Sequence, residues 1–252
     1  MSWFATWFDS ALYHILYQHR DEAEAQRFIE ALLAHLRVPT ALRVADVACG
    51  KGRHARHVAR LLPQAEVWGF DLAANSIEAA RQDNPPANCQ FERHDMLQPL
   101  APVHGQFDLL LNLFTSFGYF ETDALHEEVF RHWAAALREG GRLVVDFINA
   151  HKAVAQLVAN ETKVLNGYRF DIRRSVQQGY IVKDIWVSAS TTEKSEGEFQ
   201  ERVRAFELAD FERMAAAAGL RVVNFWGDYA LNAFSAADSP RLILLFEKRE
   251  GW

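Results

Sequence analysis

The sequence predicts an α/β protein: a mostly parallel sheet with an antiparallel β insertion late in the chain. Three observations predict it. Short β-branched runs alternate with helical patterns through the first part of the chain, as βαβ units do. After Asn149 the rhythm changes to residue-by-residue alternation, the mark of half-buried strands. Half of the 252 residues are apolar, enough for one large domain carrying an insertion, so global disorder is excluded.

Each element has its own reason. From Ala11 to about Arg37, apolar or aromatic residues recur at helical spacing: Leu12, Ile15 and Leu16, then Phe28, Ile29, Leu32, Leu33 and Leu36, with Pro39 ending the run. Strands are expected at Arg43 to Ala48, Glu66 to Asp71, Cys89 to Arg93, Phe107 to Asn112 and Arg142 to Phe147. Helices are expected near His54 to Leu62, Ser76 to Gln82 and Asp123 to Leu137, the last closed by Gly140-Gly141 as a C-cap. From about Lys163 to Ala205, Tyr168, Phe170 and Ile172 alternate, followed by Ile181, Ile185 and Val187, with Gln177-Gln178-Gly179 as the turn. A helix from about Leu208 to Ala218 stops at Gly219, and strands at Arg221 to Trp226 and Arg241 to Lys248 return to the sheet. The expected division is an N-terminal helical cap (1–38), a core (39–150), a β insertion (151–206) and a C-terminal part of the core sheet (207–252).

Composition narrows the function. The net charge is −6 and no long basic run occurs, so the electrostatic footprint of a nucleic-acid binder is missing and a small molecule is the expected partner. Cys49 and Cys89 are too few for a disulfide framework or a zinc site. The aromatic N-terminus has no basic start or cleavage site of a secretory signal, and no apolar run approaches the roughly 18 residues that span a bilayer. A cytoplasmic protein without membrane partners is expected.

The informative motif is the strand Arg43-Val-Ala-Asp-Val-Ala48 running into Cys49-Gly50-Lys51-Gly52-Arg53-His54-Ala55, with a helix after it. Gly50 and Gly52 permit backbone angles and a close approach that a Cβ forbids, so a ligand can lie against the turn and the helix N-terminus. Asp71 ends the next strand about 20 residues on, where a carboxylate can accept both ribose hydroxyls of an adenosine. This glycine spacing also satisfies the dinucleotide fingerprint, so the turn alone does not choose between cofactors.

Val44-Ala-Asp-Val-Ala-Cys-Gly-Lys-Gly-Arg53 resembles motif I of class I S-adenosyl-L-methionine-dependent methyltransferases, and Gly69-Phe-Asp-Leu-Ala-Ala-Asn-Ser-Ile77 their second-strand motif. His94-Asp95-Met96 is similar to their adenine-flanking loop, and the stretch from Phe107 to Tyr119 to their fourth-strand motif. More weakly, Tyr13-His-Ile-Leu-Tyr17 with Arg20 resembles the cofactor-closing helix of glycine N-methyltransferases and sugar N,N-dimethyltransferases, and the β insertion resembles their substrate lid. The resemblance implies a Rossmann-like, seven-stranded sheet with the last strand, Arg241 to Lys248, antiparallel, and a lid inserted after the fifth strand. Asn84-Pro85-Pro86-Ala87 looks like another methyltransferase motif but stands before the third strand and ends in alanine, so it reads as a turn.

The resemblance also implies site residues. Gly50 and Gly52 meet the methionine part of the cofactor, Asp71 the ribose, and Asp95 and Met96 the adenine; Ala48, Leu72 and Asn112 complete the set. Asp46 organises the glycine turn. Arg20 either forks onto the cofactor carboxylate or pairs with Glu24 one helical turn on. Tyr13, Tyr17, Phe114 and Tyr119 supply the aromatic faces that suit a sulfonium cation. Tyr119, Tyr13 and His14 are the candidates for handling the acceptor's proton, although sugar dimethyltransferases carry histidine where this chain has Tyr119. His54 and His57 beside Arg53, Arg56 and Arg60 read as a solvated basic face. Tyr119, Arg169, Trp186 and Tyr229 are the expected acceptor contacts, with Asp171 able to pair with Arg169 and Arg173 instead. Trp3, Phe4, Trp7 and Phe8 form a stripe that packs on the lid or on a second subunit, so a homodimer is compatible with the sequence.

No metal is required, because transfer from a sulfonium is an in-line displacement governed by positioning. The reading is methyl transfer to N or O of a small polar metabolite, nitrogen favoured by the lid. Its rivals are a nicotinamide-dependent oxidoreductase, for which no Tyr-x-x-x-Lys is found, and a methyltransferase acting on RNA or protein.

Overall fold

In the computed structural model, which describes residues 3–18, 21–192, 194–249 and 251, the aromatic N-terminus forms two short helices, α1 (Trp3–Trp7) and α2 (Ala11–Leu16). A separate helix, α3 (Glu22–Leu36), follows. The run from Ala11 to Arg37 is therefore not continuous. Asp21 is an N-cap: its carboxylate accepts the Ala23 N–H at 2.8 Å, satisfying a donor that an unbroken helix would have bonded internally.

The core continues as β1 (Arg43–Val47), α4 (Arg53–Leu61), β2 (Glu66–Asp71), α5 (Ala74–Gln82), β3 (Cys89–Arg93), α6 (Ala101–His104), β4 (Phe107–Asn112), α7 (Asp123–Ala136) and β5 (Leu137–Ile148). Then come α8 (Ala150–Ala155), the insertion strands β6 (Asn160–Leu165), β7 (Tyr168–Gln177), β8 (Tyr180–Ala189) and β9 (Ser195–Arg204), and finally α9 (Leu208–Ala217), β10 (Leu220–Trp226) and β11 (Arg241–Lys248).

Seven strands form the main sheet in the order β10-β11-β5-β4-β1-β2-β3. The pairs β1–β2, β1–β4, β2–β3 and β4–β5 are parallel, while β11 runs antiparallel to both neighbours. The central strands β1 and β4 are buried almost throughout, which is why they read as continuous apolar runs. One layer of core packs α3 and α4 on the sheet through Phe28, Ile29, Leu32 and Val58. The opposite layer packs α7 and α9 through Phe130, Trp133, Phe211 and Met214.

Two local expectations are corrected. Helix α7 stops at Ala136, and Leu137 is already extended, so Gly140-Gly141 is not its cap. Pairing of β5 with β4 jumps from Phe107↔Leu137 to Leu109↔Arg142, and the glycines lie within that bulge. Nor is α4 a solvated basic face. His54, Arg56 and His57 are buried, because α3 lies over them and brings Glu22 to within 3.0 Å of His57 Nε2, while Arg56 pairs with Asp83 at 3.0 Å.

The insertion is a four-stranded antiparallel meander, β6-β7-β8-β9. Asn166-Gly167 and Gln178-Gly179 both have positive φ at their two residues, the geometry that joins twisted strands by two-residue turns. The face bearing Phe170, Ile172, Ile185 and Val187 packs on Trp7 and Leu16 of the N-terminal helices. Trp7 lies tilted against Phe199 of β9 at 4.4 Å, while Trp3, Phe4 and Phe8 meet the Tyr119 ring at 5.5, 6.2 and 5.1 Å, so the aromatic stripe is used within the chain, against the insertion and the core. No helix among the described residues is long and apolar enough to cross a membrane.

Candidate active site

The strand order reverses between β1 and β4, and at such a switch point the loops leaving the carboxyl ends diverge and open a crevice. Ala48, Gly50 and Gly52, at φ 59°, 56° and 76°, bend the chain from β1 into α4 there. The Cys49 N–H donates to Phe70 O at 3.0 Å, holding the bend to β2. The two glycines do different things. A Cβ on Gly52 would meet the Phe91 ring at 2.3 Å, so this glycine serves packing. A Cβ on Gly50 would meet nothing within 4 Å, and Gly50 lines the cavity above the bend.

Asp71 closes the turn from the neighbouring strand. Its Oδ2 accepts the Gly50 N–H at 2.7 Å and its Oδ1 the Ala73 N–H at 2.8 Å. Burial raises its pKa above the ordinary carboxylate value, and those two N–H groups oppose the rise. Asp46, 1 % exposed inside β1, has its carboxyl pushed up to about 7 by burial, with the Ala55 N–H opposing and the charge of Asp71 adding. Its Oδ2 is buried without a hydrogen-bond partner among the described residues.

After β4 the backbone takes two left-handed residues, Phe114 (φ 62°) and Thr115 (φ 58°), a strained path that needs support. Asp146 of β5 supplies it: Oδ2 accepts the Phe114 N–H at 2.8 Å and its carbonyl accepts the Thr115 N–H at 2.8 Å. Arg241 of β11 donates to Asp146 Oδ1 at 2.7 Å and to Thr115 Oγ1 at 2.9 Å. The Phe114 ring is thereby held at the cavity wall, with the Arg53 and Arg241 guanidinium groups 5.7 and 5.6 Å from its centroid.

Two cavities result. The first, about 460 Å³, runs over the glycine bend past Asp71, Leu72, Asp95 and Met96. The second, about 580 Å³, lies between α8 and the insertion. Phe8, Tyr13, Tyr17, Phe114 and Tyr119 line both and so form the wall between them. Among the described residues no cluster of His, Cys, Asp or Glu could hold a metal ion.

The expected residues are distributed unevenly. Tyr13, His14, Tyr17, Ala48, Gly50, Asp71, Leu72, Asp95, Met96, Phe114 and Tyr119 line the first cavity. Arg20 lies outside the described residues. Asn112 is fully buried and ties β1 to the following loop, donating to Val47 O at 3.0 Å and Ser116 O at 3.2 Å, and it does not reach the cavity wall. Arg169 and Trp186 do not reach either cavity: they stand on the insertion face opposite Phe170, Ile185 and Val187, where Arg169 pairs with Asp171 at 2.8 Å. Tyr229 also stays out, its hydroxyl donating to Asp146 Oδ2 at 3.0 Å beneath the Phe114 loop. Sequence reasoning passed over Phe8 as a site residue and missed Asp146 and Arg241 altogether. An acidic residue inside the apolar run Leu143-Val-Val-Asp-Phe-Ile148 was the available signal for Asp146.

A family model described as a methyltransferase domain matches residues 44–141. The chain is 26% identical over 227 residues to a dTDP-3-amino-3,6-dideoxy-alpha-D-glucopyranose N,N-dimethyltransferase of Streptomyces fradiae, covering 84% of this chain and 83% of that one. It is 37% identical over 156 residues to a trans-aconitate 2-methyltransferase of Rhodopseudomonas palustris, which covers 62% of this chain and 58% of that enzyme. Among solved structures, an S-adenosylmethionine-bound amino pentose methyltransferase from Micromonospora echinaspora shares the fold at a TM-score of 0.68 and 20% identity, over 95% of this chain and 97% of that one. The sheet, bent into a glycine turn at its switch point, shares the fold of that methyltransferase, and the stretch from its first strand into its fifth is the part that the methyltransferase domain model matches.

Proposed function

We propose that the protein is a class I S-adenosylmethionine-dependent methyltransferase that transfers the methyl group to a nitrogen or oxygen of a small polar metabolite, with the cofactor in the first cavity and the acceptor in the second. The observation that carries this is the shared aromatic wall: two cavities of metabolite size meet at Phe8, Tyr13, Tyr17, Phe114 and Tyr119.

The first cavity fits the cofactor. Gly50 leaves the space that a Cβ would take, and the Gly50 turn suits the amino-acid end of the cofactor, with Asp46 buried beneath it as an organiser of the turn. Asp71 suits the ribose, and Leu72, Asp95 and Met96 the adenine end. When bound, the cofactor supplies an electrophilic methyl group on a sulfonium centre. The chain's part is to hold the acceptor in line with that methyl and exclude water, and aromatic faces at the wall favour a cation there without offering a competing nucleophile. The Tyr119 hydroxyl donates to Thr115 O, so its proton is already engaged and its lone pairs can accept from an acceptor N–H or O–H. Tyr119 is on this reading a positioning residue, with Tyr13 and His14 lining the same cavity.

The helical cap (1–38) closes the cofactor side: Asp9 Oδ1 accepts the Asn75 N–H of α5 at 2.8 Å. The core (39–150) binds the cofactor, the insertion (151–206) covers the acceptor, and residues 207–252 brace the Phe114 loop through Arg241. We place the enzyme in the cytoplasm, where its buried cysteines stay reduced. The test is a screen of amines, alcohols and carboxylic acids monitored by S-adenosylhomocysteine release, after calorimetry has established cofactor binding. Turnover is expected with a small acceptor; binding of a dinucleotide in place of S-adenosylmethionine would sink the reading.

A further inference from the structure

The inner face of the insertion is apolar where it meets α1 and α2, and Ile181 and Val203 carry apolar surface along the second cavity. Toward the second cavity the same face carries charges from all four strands. Directly paired residues of an antiparallel ladder point to the same side, so Arg174, Lys183 and Glu201, opposite one another across β7, β8 and β9, form one row. Glu161 of β6, opposite Ile172, lies beside Arg174 on that face, with Lys163 two residues on. All five line the second cavity.

The row reads Glu161, Arg174, Lys183, Glu201: a carboxylate at each end and two cations side by side in the middle. Like charges directly opposite on neighbouring strands destabilise a sheet. Here they are also drawn from water, with side-chain exposures of 22% for Arg174 and 12% for Lys183. The flanking carboxylates are heavily committed. Glu161 is shared by Arg174 at 2.5 Å and Lys163 at 3.2 Å. Glu201 accepts from Trp7 Nε1 at 2.8 Å and from the Tyr17 hydroxyl at 2.8 Å, and Lys183 stands 3.4 Å away. Three cations against two carboxylates leave this cavity with an excess positive charge in a chain of net charge −6. The Lys183 ammonium is held below its ordinary range first by burial, with the neighbouring Arg174 and Lys163 adding to the effect and Glu201 opposing it. An oxyanion seated between the two central cations relieves both their repulsion and their lost hydration, and the fork of Arg174 can grip two oxygens at once.

We propose that the acceptor carries a carboxylate or phosphate that binds between Arg174 and Lys183 on the insertion, fixing the rest of the molecule against the aromatic wall. This rests on the methyltransferase reading above and adds the substrate class to it. The anionic group is the handle at the far side of a 580 Å³ cavity, and the methylated atom is the one that reaches Tyr119 and Phe114.

The test uses the full chain loaded with S-adenosylhomocysteine. Its binding is measured first by calorimetry, so loss of the cofactor reading is seen separately. The loaded protein is then titrated with tricarballylate, with inorganic phosphate and with glycerol, in low and high salt. At least one anion is expected to bind at about millimolar concentration or tighter and to weaken with salt, while glycerol does not bind. A response to tricarballylate alone identifies a carboxylate acceptor, and to phosphate alone a phosphorylated one. Arg174→Gln and Lys183→Met are each expected to weaken the anion at least tenfold, with cofactor affinity kept. Arg174→Lys is expected to retain part of the binding, and Arg221→Gln, in an exposed pair with Glu247 on the far edge strand, to change nothing. Cofactor binding with no response to either anion, or an anion response unchanged in both Arg174→Gln and Lys183→Met, would overturn the proposal.

Discussion

Replacing Asp71 by Asn isolates the contact on which the cofactor cavity depends. The carboxylate accepts two backbone N–H groups, from Gly50 at 2.7 Å and Ala73 at 2.8 Å. An amide keeps one acceptor oxygen but sets an NH₂ group against the second N–H, so one bond to a charged acceptor, worth about 1.5–3 kcal/mol, is lost. Burial opposes ionisation of this group, so removing its charge returns part of that desolvation cost. The net loss of stability should be about 1–2 kcal/mol. Cofactor affinity should fall further, because the variant loosens the Gly50 turn and also removes the ribose acceptor, for about 1–3 kcal/mol or roughly 5- to 150-fold in Kd. Calorimetric titration with S-adenosylhomocysteine at pH 8, beside a thermal melt of the free protein, reads both effects. If the Asp71→Asn variant binds within threefold of wild type, the placement of the adenosyl group over Asp71 is wrong. A melt that falls while affinity holds would leave Asp71 only a structural tie.

The two glycines should separate in the same assays. Gly52→Ala is expected to lower stability by about 2–4 kcal/mol, since strain at φ 76° adds to a clash with Phe91, whereas Gly50→Ala should cost about 1 kcal/mol of stability yet weaken the cofactor more than tenfold; equal behaviour of the two in both assays would contradict the assignment. Asp46 has a folded pKa of about 7, above its unfolded value, so the folded state binds the extra proton and its contribution to stability falls as pH rises from about 4 to 7. Asp46→Asn should therefore gain melting temperature relative to wild type between pH 5 and pH 8, and a constant difference would refute the raised pKa. His126 works in the opposite sense. It is fully buried, accepts the Phe120 N–H at 3.2 Å on Nε2, and burial lowers its pKa to about 4. The stability it contributes is complete above about pH 6.5 and is lost on acidification toward pH 4, at most about 3 kcal/mol; His126→Asn should flatten the acid limb of the stability profile measured by urea unfolding.

The first cavity was largely legible. The glycine bend, Asp71 and the Asp95-Met96 loop are local devices, in which a short stretch of backbone carries both the conformation and the contact, and a strand-end carboxylate about 20 residues after the turn has few other purposes. The second cavity was not. Alternation along the insertion shows that two faces exist but not which of them meets the cap, so Arg169 and Trp186 were expected at the acceptor although Arg174 and Lys183 hold the facing row. The buried Arg56 and His57 of α4 were likewise misread, because only the approach of α3 with Glu22 removes that face from water.

What the sequence by itself determined is the alternation of strands and helices, the place of the bend and the carboxylate of Asp71 beside it, since these rest on residue type and spacing within short stretches of chain. Tertiary structure alone decided which charges line the second cavity and how the Phe114 loop is held. Asp146 and Arg241 are 95 residues apart in the chain and meet only because β11 pairs antiparallel with β5, a neighbourhood created by the packing of the whole sheet.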